Sequence, residues 1–295
     1  MRFSGSYVAL VTPWNKDLSG IDFSVLKDLV EWHVASGTDG IVPAGTTGES
    51  ATLTHTEQAE LIAQTVKFAA GRCKVLAGAG SNSTTEAASL AQAARDAGAD
   101  AILVITPYYN RPTPEGLYRH YGSVAEKCDL PLMIYNVPAR TGTNIMPETV
   151  IRIAKAYPSI SAIKEASGSI YQSAKIVEEL GDSFDIMSGD DGLAVPIMSV
   201  GGKGVVSVIA NVAPAETKKM MAAALEGDFK SAREWYYKLA PLMEACFIET
   251  NPGPAKAMLQ LMGRIDGRMR LPMVEPKPAT METIKNTLRK VGIAF

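Results

Sequence analysis

Lys164 stands alone in a short apolar run, SAIKEAS at residues 161–167. Runs of this length, bounded by turn residues, read as buried strands. A buried ammonium is costly unless it is paired or gives up its proton. An amine that has given it up attacks ketones and forms a Schiff base. The alternative is an ion pair, with the adjacent Glu165 as the partner nearest in sequence. Tyr135 lies inside another such run, LMIYNVPARTG at 132–142. Tyr135 and Lys164 are each the fifth residue of their candidate strands, Pro131–Pro138 and Ile160–Ser167, so neighbouring strands would hold them at similar height. A phenol beside a buried amine can relay protons; a tyrosine of the core with a satisfied hydroxyl is the plainer alternative. Arg140, just past that strand, suits a bidentate carboxylate clamp or a solvated loop charge.

Three more segments end apolar runs in polar residues. AGTTGES at 44–50 places Thr46 and Thr47 between Gly45 and Gly48. The glycines would let the chain turn and aim its N–H groups at an anion, or the segment is a plain turn capped by threonine. TPYYN at 106–110 supplies Tyr108 and Tyr109, and MSGDD at 187–191 supplies Gly189, Asp190 and Asp191. The two acids lack histidine partners for a metal and read as helix caps; Gly189 would keep a pocket open.

What must position these residues is a serial β–α repeat. Candidate strands are Ser6–Pro13, Gly40–Gly45, Lys74–Gly80, Ala101–Pro107, Pro131–Pro138, Ile160–Ser167, Asp185–Asp190 and Gly204–Val208. Helical patterns fall between them. Phe23, Leu26, Val30 and Val34 share one face, as do Ala59, Ile62, Ala63 and Val66. Thr54 with Glu57, and Ser83 with Glu86, have capping-box spacing. About eight such units predict an α/β chain of the (β/α)₈ TIM-barrel class, whose chemistry sits where strands run into the following loops. A doubly wound sheet would carry a glycine-rich phosphate turn after its first strand, and VTPWNKD is not one. GAGSNS at 78–83 and GGKG at 201–204 read as tight turns. Residues 1–226 are expected to form the catalytic barrel. Residues 227–295 hold helical patterns only, at Phe229–Phe247, Gly253–Met262 and Met281–Val291, and read as a C-terminal helical region packed on it.

Composition narrows the function. A formal net charge of −2 gives no electrostatic reason to bind nucleic acid. No apolar stretch is long enough to span a bilayer; Leu193 to Val212 is broken by Pro196, Gly201, Gly202 and Lys203. The N-terminus reads as a first strand and not a signal peptide. Cys73, Cys128 and Cys246 are odd in number and far apart, which argues against disulfides and zinc and fits a reducing cytoplasm. His33, His55 and His120 show no metal-ligand spacing.

GTTGES, TPYYNRP, YNVPARTG, IKEASG, SGDD and GVVSV occur in an order and spacing that resembles the dihydrodipicolinate synthase family, within the N-acetylneuraminate lyase superfamily of class I aldolases. The resemblance spans essentially the whole chain. It implies that pyruvate condenses with L-aspartate 4-semialdehyde, a committed step toward diaminopimelate and lysine, with no cofactor beyond the Schiff base itself. It implies that Lys164 carries the Schiff base and that Tyr135 gives and takes protons. Thr46 and Tyr109 would complete a relay, with Tyr109 crossing from a neighbouring subunit. Thr47, Val206 and Gly189 would lie at pyruvate, and Arg140 would receive the semialdehyde carboxylate. A homotetramer, a dimer of dimers, is implied. So is L-lysine as an effector at Ser50, Ala51, His55, Gln58, Asn82, Glu86 and Tyr108, although sensitive relatives often carry histidine where this chain has Gln58. Relatives that cleave N-acetylneuraminate or keto-deoxy sugar acids share the lysine and tyrosine; Arg140 and the tyrosine pair speak for an anionic second substrate. A metal-dependent aldolase and a keto-acid sensor without turnover are the more distant alternatives.

Overall fold

The computed structural model describes residues 1–295. Its strands are β1 (Gly5–Ala9), β2 (Gly40–Val42), β3 (Lys74–Gly78), β4 (Ala101–Ile105), β5 (Leu132–Asn136), β6 (Ile160–Glu165), β7 (Asp185–Ser188) and β8 (Gly204–Ser207). They pair in chain order and in parallel, and β8 returns to β1 to close the barrel. Helices fill the connections, so the chain is a (β/α)₈ TIM barrel with further helices at its C-terminal end. Every expected strand is present and begins within a residue of its apolar run. Each ends early. Past β4, for example, Thr106 and Pro107 stay buried while the chain leaves the ladder. Burial continues where pairing stops, so hydropathy does not mark the end.

Alternation along the strands separates two cores. Val42, Leu76, Leu103, Met133, Ala162, Met187 and Val206 gather inside the barrel with Phe3 and Tyr7. Their neighbours Ile41, Val75, Ile102, Ile134, Ile163 and Ile186 pack outward against the helices. One irregularity bears on the site. Leu132 pairs with Ile160, but Met133 pairs with Ala162, so Ser161 is an extra residue in β6. Tyr135 therefore lies opposite Lys164. Without the extra residue it would lie opposite Ile163, which faces the other wall.

The helices follow their sequence signals with two instructive departures. Helix His55–Ala69 opens on a complete Thr54–Glu57 capping box, but it buries Gln58, Leu61, Ile62, Thr65 and Ala69. Of the expected face only Ile62 is fully buried. Gln58 Nε2 donates to the Gly78 carbonyl at 2.8 Å, and Thr65 Oγ1 donates to the Leu61 carbonyl at 2.7 Å. Satisfied polar side chains can sit on a buried face that hydropathy would assign to solvent. Helix Thr84–Asp96 is capped by Ser83, which accepts from the Glu86 N–H. The Glu86 carboxylate does not complete the box; it takes hydrogen bonds from Ser81 and His55.

Helices Phe229–Ala245, Gly253–Leu261 and Pro278–Val291 end the chain. Leu239, Met258 and Leu288 share one apolar cluster with Ala194, Val205 and Val208 of the barrel. No helix is long and apolar enough to cross a membrane.

Candidate active site

Lys164 has the inward parity of Ala162 and is 5% exposed. Its Nζ lies 4.2 Å from the centroid of the Tyr135 ring. Glu165 faces the opposite wall. There it accepts from the Ser167 N–H at 2.6 Å and from Asn136 Nδ2 at 3.1 Å. Burial pushes its carboxyl above the usual range against the pull of those hydrogen bonds. The alternative of a Lys164–Glu165 ion pair is thereby excluded. Gly189, following β7, makes room for the lysine. A Cβ there would stand 3.1 Å from Lys164 Cε and Cγ and 2.7 Å from Ala166 Cβ.

The two acids after Gly189 have structural partners. Asp190 caps the short turn Asp191–Leu193 by accepting from the Gly192 N–H at 2.8 Å. Asp191 is fully buried and accepts from the Val208 and Ile209 N–H groups at 2.9 and 3.1 Å, stapling the end of β8 to this turn.

The segment after β2 departs from expectation in its backbone. Its left-handed residues are Ala44 (φ 54°) and Glu49 (φ 56°), not the glycines. Gly48 is needed for proximity instead: a Cβ would meet the Leu10 carbonyl oxygen at 3.0 Å and the Ala44 nitrogen at 3.2 Å. Within this turn Glu49 N–H donates to the Thr46 carbonyl and Ser50 N–H to the Gly45 carbonyl. The N–H groups of Gly45, Thr46, Thr47 and Gly48 bond to nothing in the chain. Successive free N–H groups of this kind suit an anion.

A cavity of about 450 Å³ opens over these elements, with Thr46, Tyr135, Arg140 and Asn251 in its wall. Lys164 does not line it but stacks on the Tyr135 ring, which does. Arg140 belongs to a one-turn helix, Pro138–Thr141, stopped by Gly142 at φ +70°. It is exposed and makes no ion pair. Ser50, Ala51, His55, Gln58, Glu86 and Tyr108 line the same cavity, so the residues of the expected effector site adjoin the expected catalytic ones. Asn82 stands outside that wall and donates to the Tyr108 carbonyl at 3.2 Å. Val206 faces the barrel interior from β8. Tyr109 is not brought to the site by its own chain. It is 90% exposed, with φ at +72°.

Sequence reading missed three residues that hold the Thr46–Thr47 segment. Asn251 Nδ2 donates to Thr47 Oγ1 at 2.9 Å. Lys256, with no exposed surface, places Nζ 2.7 Å from Glu49 Oε1 and bonds the Thr12 carbonyl at 3.0 Å and the Arg268 carbonyl at 2.6 Å. Glu49 also accepts from Trp14 Nε1 at 3.0 Å. The one available signal was a lysine on the apolar stretch GPAKAMLQL, whose buried charge demands a partner.

The chain as a whole is similar in sequence and fold to known proteins. The 4-hydroxy-tetrahydrodipicolinate synthase of Nitratidesulfovibrio vulgaris (strain DSM 19637 / Miyazaki F) is 46% identical over 293 residues, 99% of this chain and all of that protein. The chloride-inhibited dihydrodipicolinate synthase of Acinetobacter baumannii, solved with pyruvate, superposes with a TM-score of 0.97 at 42% identity, covering 99% of this chain and 100% of that one. The enzyme of Cyanidioschyzon merolae with lysine bound gives 0.96 at 39% identity, covering 99% of both chains. The profile of the dihydrodipicolinate synthetase family matches residues 2–291, and the chain belongs to that family.

Proposed function

We infer that this chain condenses pyruvate with L-aspartate 4-semialdehyde, the 4-hydroxy-tetrahydrodipicolinate synthase reaction of lysine biosynthesis, through a Schiff base on Lys164. The observation that carries the residue assignment is Lys164 inside the barrel, without a carboxylate partner and stacked on Tyr135. Its amine adds to the pyruvate carbonyl carbon, and water leaves as the imine forms. Loss of a proton from the methyl group gives an enamine, whose carbon bonds to the aldehyde carbon of the second substrate. The amino group of that substrate then attacks the imine carbon. The ring closes and the Lys164 amine departs free.

Tyr135 is the proton carrier at these steps. Thr46, in the same cavity wall, continues the relay. Tyr109 completes it from a second subunit, which fits its exposure and its left-handed backbone. The free N–H groups at Thr46 and Thr47 hold the pyruvate carboxylate, and Val206 and Gly189 bound its methyl side. Arg140, unpaired at the cavity mouth, takes the carboxylate of the semialdehyde. Assay of the pure protein with pyruvate and the semialdehyde should give turnover, and none with N-acetylneuraminate. The reverse preference would contradict the assignment.

L-Lysine as an effector is the second proposal. Glu86 is held below the usual carboxylate range by its hydrogen bond from Ser81 and by His55, so it offers an anion to an incoming ammonium. Gln58 is occupied with the Gly78 carbonyl. Inhibition by millimolar lysine, removed by Glu86→Ala, is the expected result; full activity in lysine would contradict it.

A further inference from the structure

We propose that Asn251, from the C-terminal helical region, is a positioning residue that sets the polarity of the Thr47 hydroxyl and so completes the seat for the pyruvate carboxylate. The inference rests on the functional reading above. Asn251 and Thr47 are 204 residues apart in sequence, and both are buried. A threonine hydroxyl carries one donor and two acceptor sites and rotates to suit its surroundings. Here the amide Nδ2–H of Asn251 occupies an acceptor site at 2.9 Å, and the Thr47 hydroxyl donates to no group of the chain. Its own proton is left for a ligand. With the free N–H groups of Thr46, Thr47 and Gly48, this hydroxyl gives the segment four unused donors. A carboxylate needs such a set, and an aldehyde or an amine does not.

The amide is itself held for this task. Lys256, five residues on, is bound to Glu49, two residues past Thr47. Two buried ties thus join the same two short segments. Asn251 lines the cavity, while its Oδ1 is buried and has no partner. An asparagine kept for packing alone would be expected to satisfy both halves of its amide. This one uses only the half that donates to Thr47.

The test is steady-state kinetics of the full chain with Asn251→Asp and Asn251→Ala, alone and with Thr47→Val. A carboxylate at 251 only accepts, so it would turn the Thr47 proton away from pyruvate and add a like charge. KM for pyruvate should rise about tenfold or more in either single variant, the scale of one hydrogen bond to a charged group. KM for the semialdehyde and kcat should stay within about threefold, the ordinary scatter of indirect effects. In the Thr47→Val background, Asn251→Ala should add no further change, because the hydroxyl it orients is gone. Asn251→Ala introduces no charge and serves alone should Asn251→Asp fail to fold. An unchanged pyruvate KM, or effects of Asn251→Ala and Thr47→Val that multiply in full, would overturn the proposal. Borohydride trapping of pyruvate on the wild-type chain separates the two readings: no adduct removes the functional reading, whereas an adduct with an unmoved KM removes only the role of Asn251.

Discussion

At the scale of single residues, the site depends on what stands beside Lys164 and what does not. Gly189 leaves 3.1 Å between a virtual Cβ and the lysine stem. Gly189→Ala should therefore push the amine out of line with the substrate. A displacement near 1 Å costs about 100-fold in rate, and kcat/KM with pyruvate should fall on that scale while the unfolding temperature moves little. Buried histidines give a second prediction. His33 contacts Thr38 Oγ1 through Nδ1 at 3.0 Å, and its Nε2 has no partner. Burial, aided by Arg264, pulls its pKa down from 6.5 to about 3, and burial takes His120 to about 4. The folded state keeps these rings neutral while the unfolded chain binds protons below pH 6.5. Stability is thus undiminished above that pH and falls as pH drops through the window toward 4. Each histidine contributes about 1.4 kcal/mol per pH unit. Denaturant titrations from pH 7 to 4.5 should show this slope, and His33→Gln should flatten it. A slope unchanged by the substitution would contradict the assignment.

At the scale of elements, the turn after β2 is held by the chain's far end. Lys256 and Glu49 are both buried, so removing one partner strands the other's charge. Lys256→Met should destabilise the fold by about 3–5 kcal/mol, and Lys256→Met with Glu49→Leu should recover part of that loss. Equal destabilisation by the single and double variants, measured by chemical denaturation, would contradict this. These ties were not legible in the sequence. Asn251 and Thr47 share no local pattern, and their meeting depends on how the last helices return over the barrel. The strands were legible because apolar runs of strand length recur between helical periods. Their ends were not, because Thr106 and Pro107 remain buried beyond the ladder. The meeting of Tyr135 and Lys164 was expected from equal offsets along two runs. It arises through an added residue, Ser161, which no propensity announces. The glycines of GTTGES were expected to make its sharp turn, but Ala44 and Glu49 carry the left-handed conformations.

At the scale of the whole molecule, the barrel and the last helices share an apolar cluster, from Val205 and Val208 to Leu239 and Leu288. A chain of residues 1–226 would expose the barrel's part of that cluster and lack Asn251 and Lys256. It should fail to unfold cooperatively and show no turnover; a soluble, active fragment would contradict the shared core. Tyr109 adds a claim about assembly, because a relay completed by a partner requires at least a dimer. Every part of the account returns to one amine inside the barrel. Borohydride reduction of the protein with pyruvate, followed by peptide mass mapping, tests it most directly. A single adduct on Lys164, absent from a folded Lys164→Ala variant, is the expected result. An adduct on another lysine, or none at all while turnover persists, would contradict it.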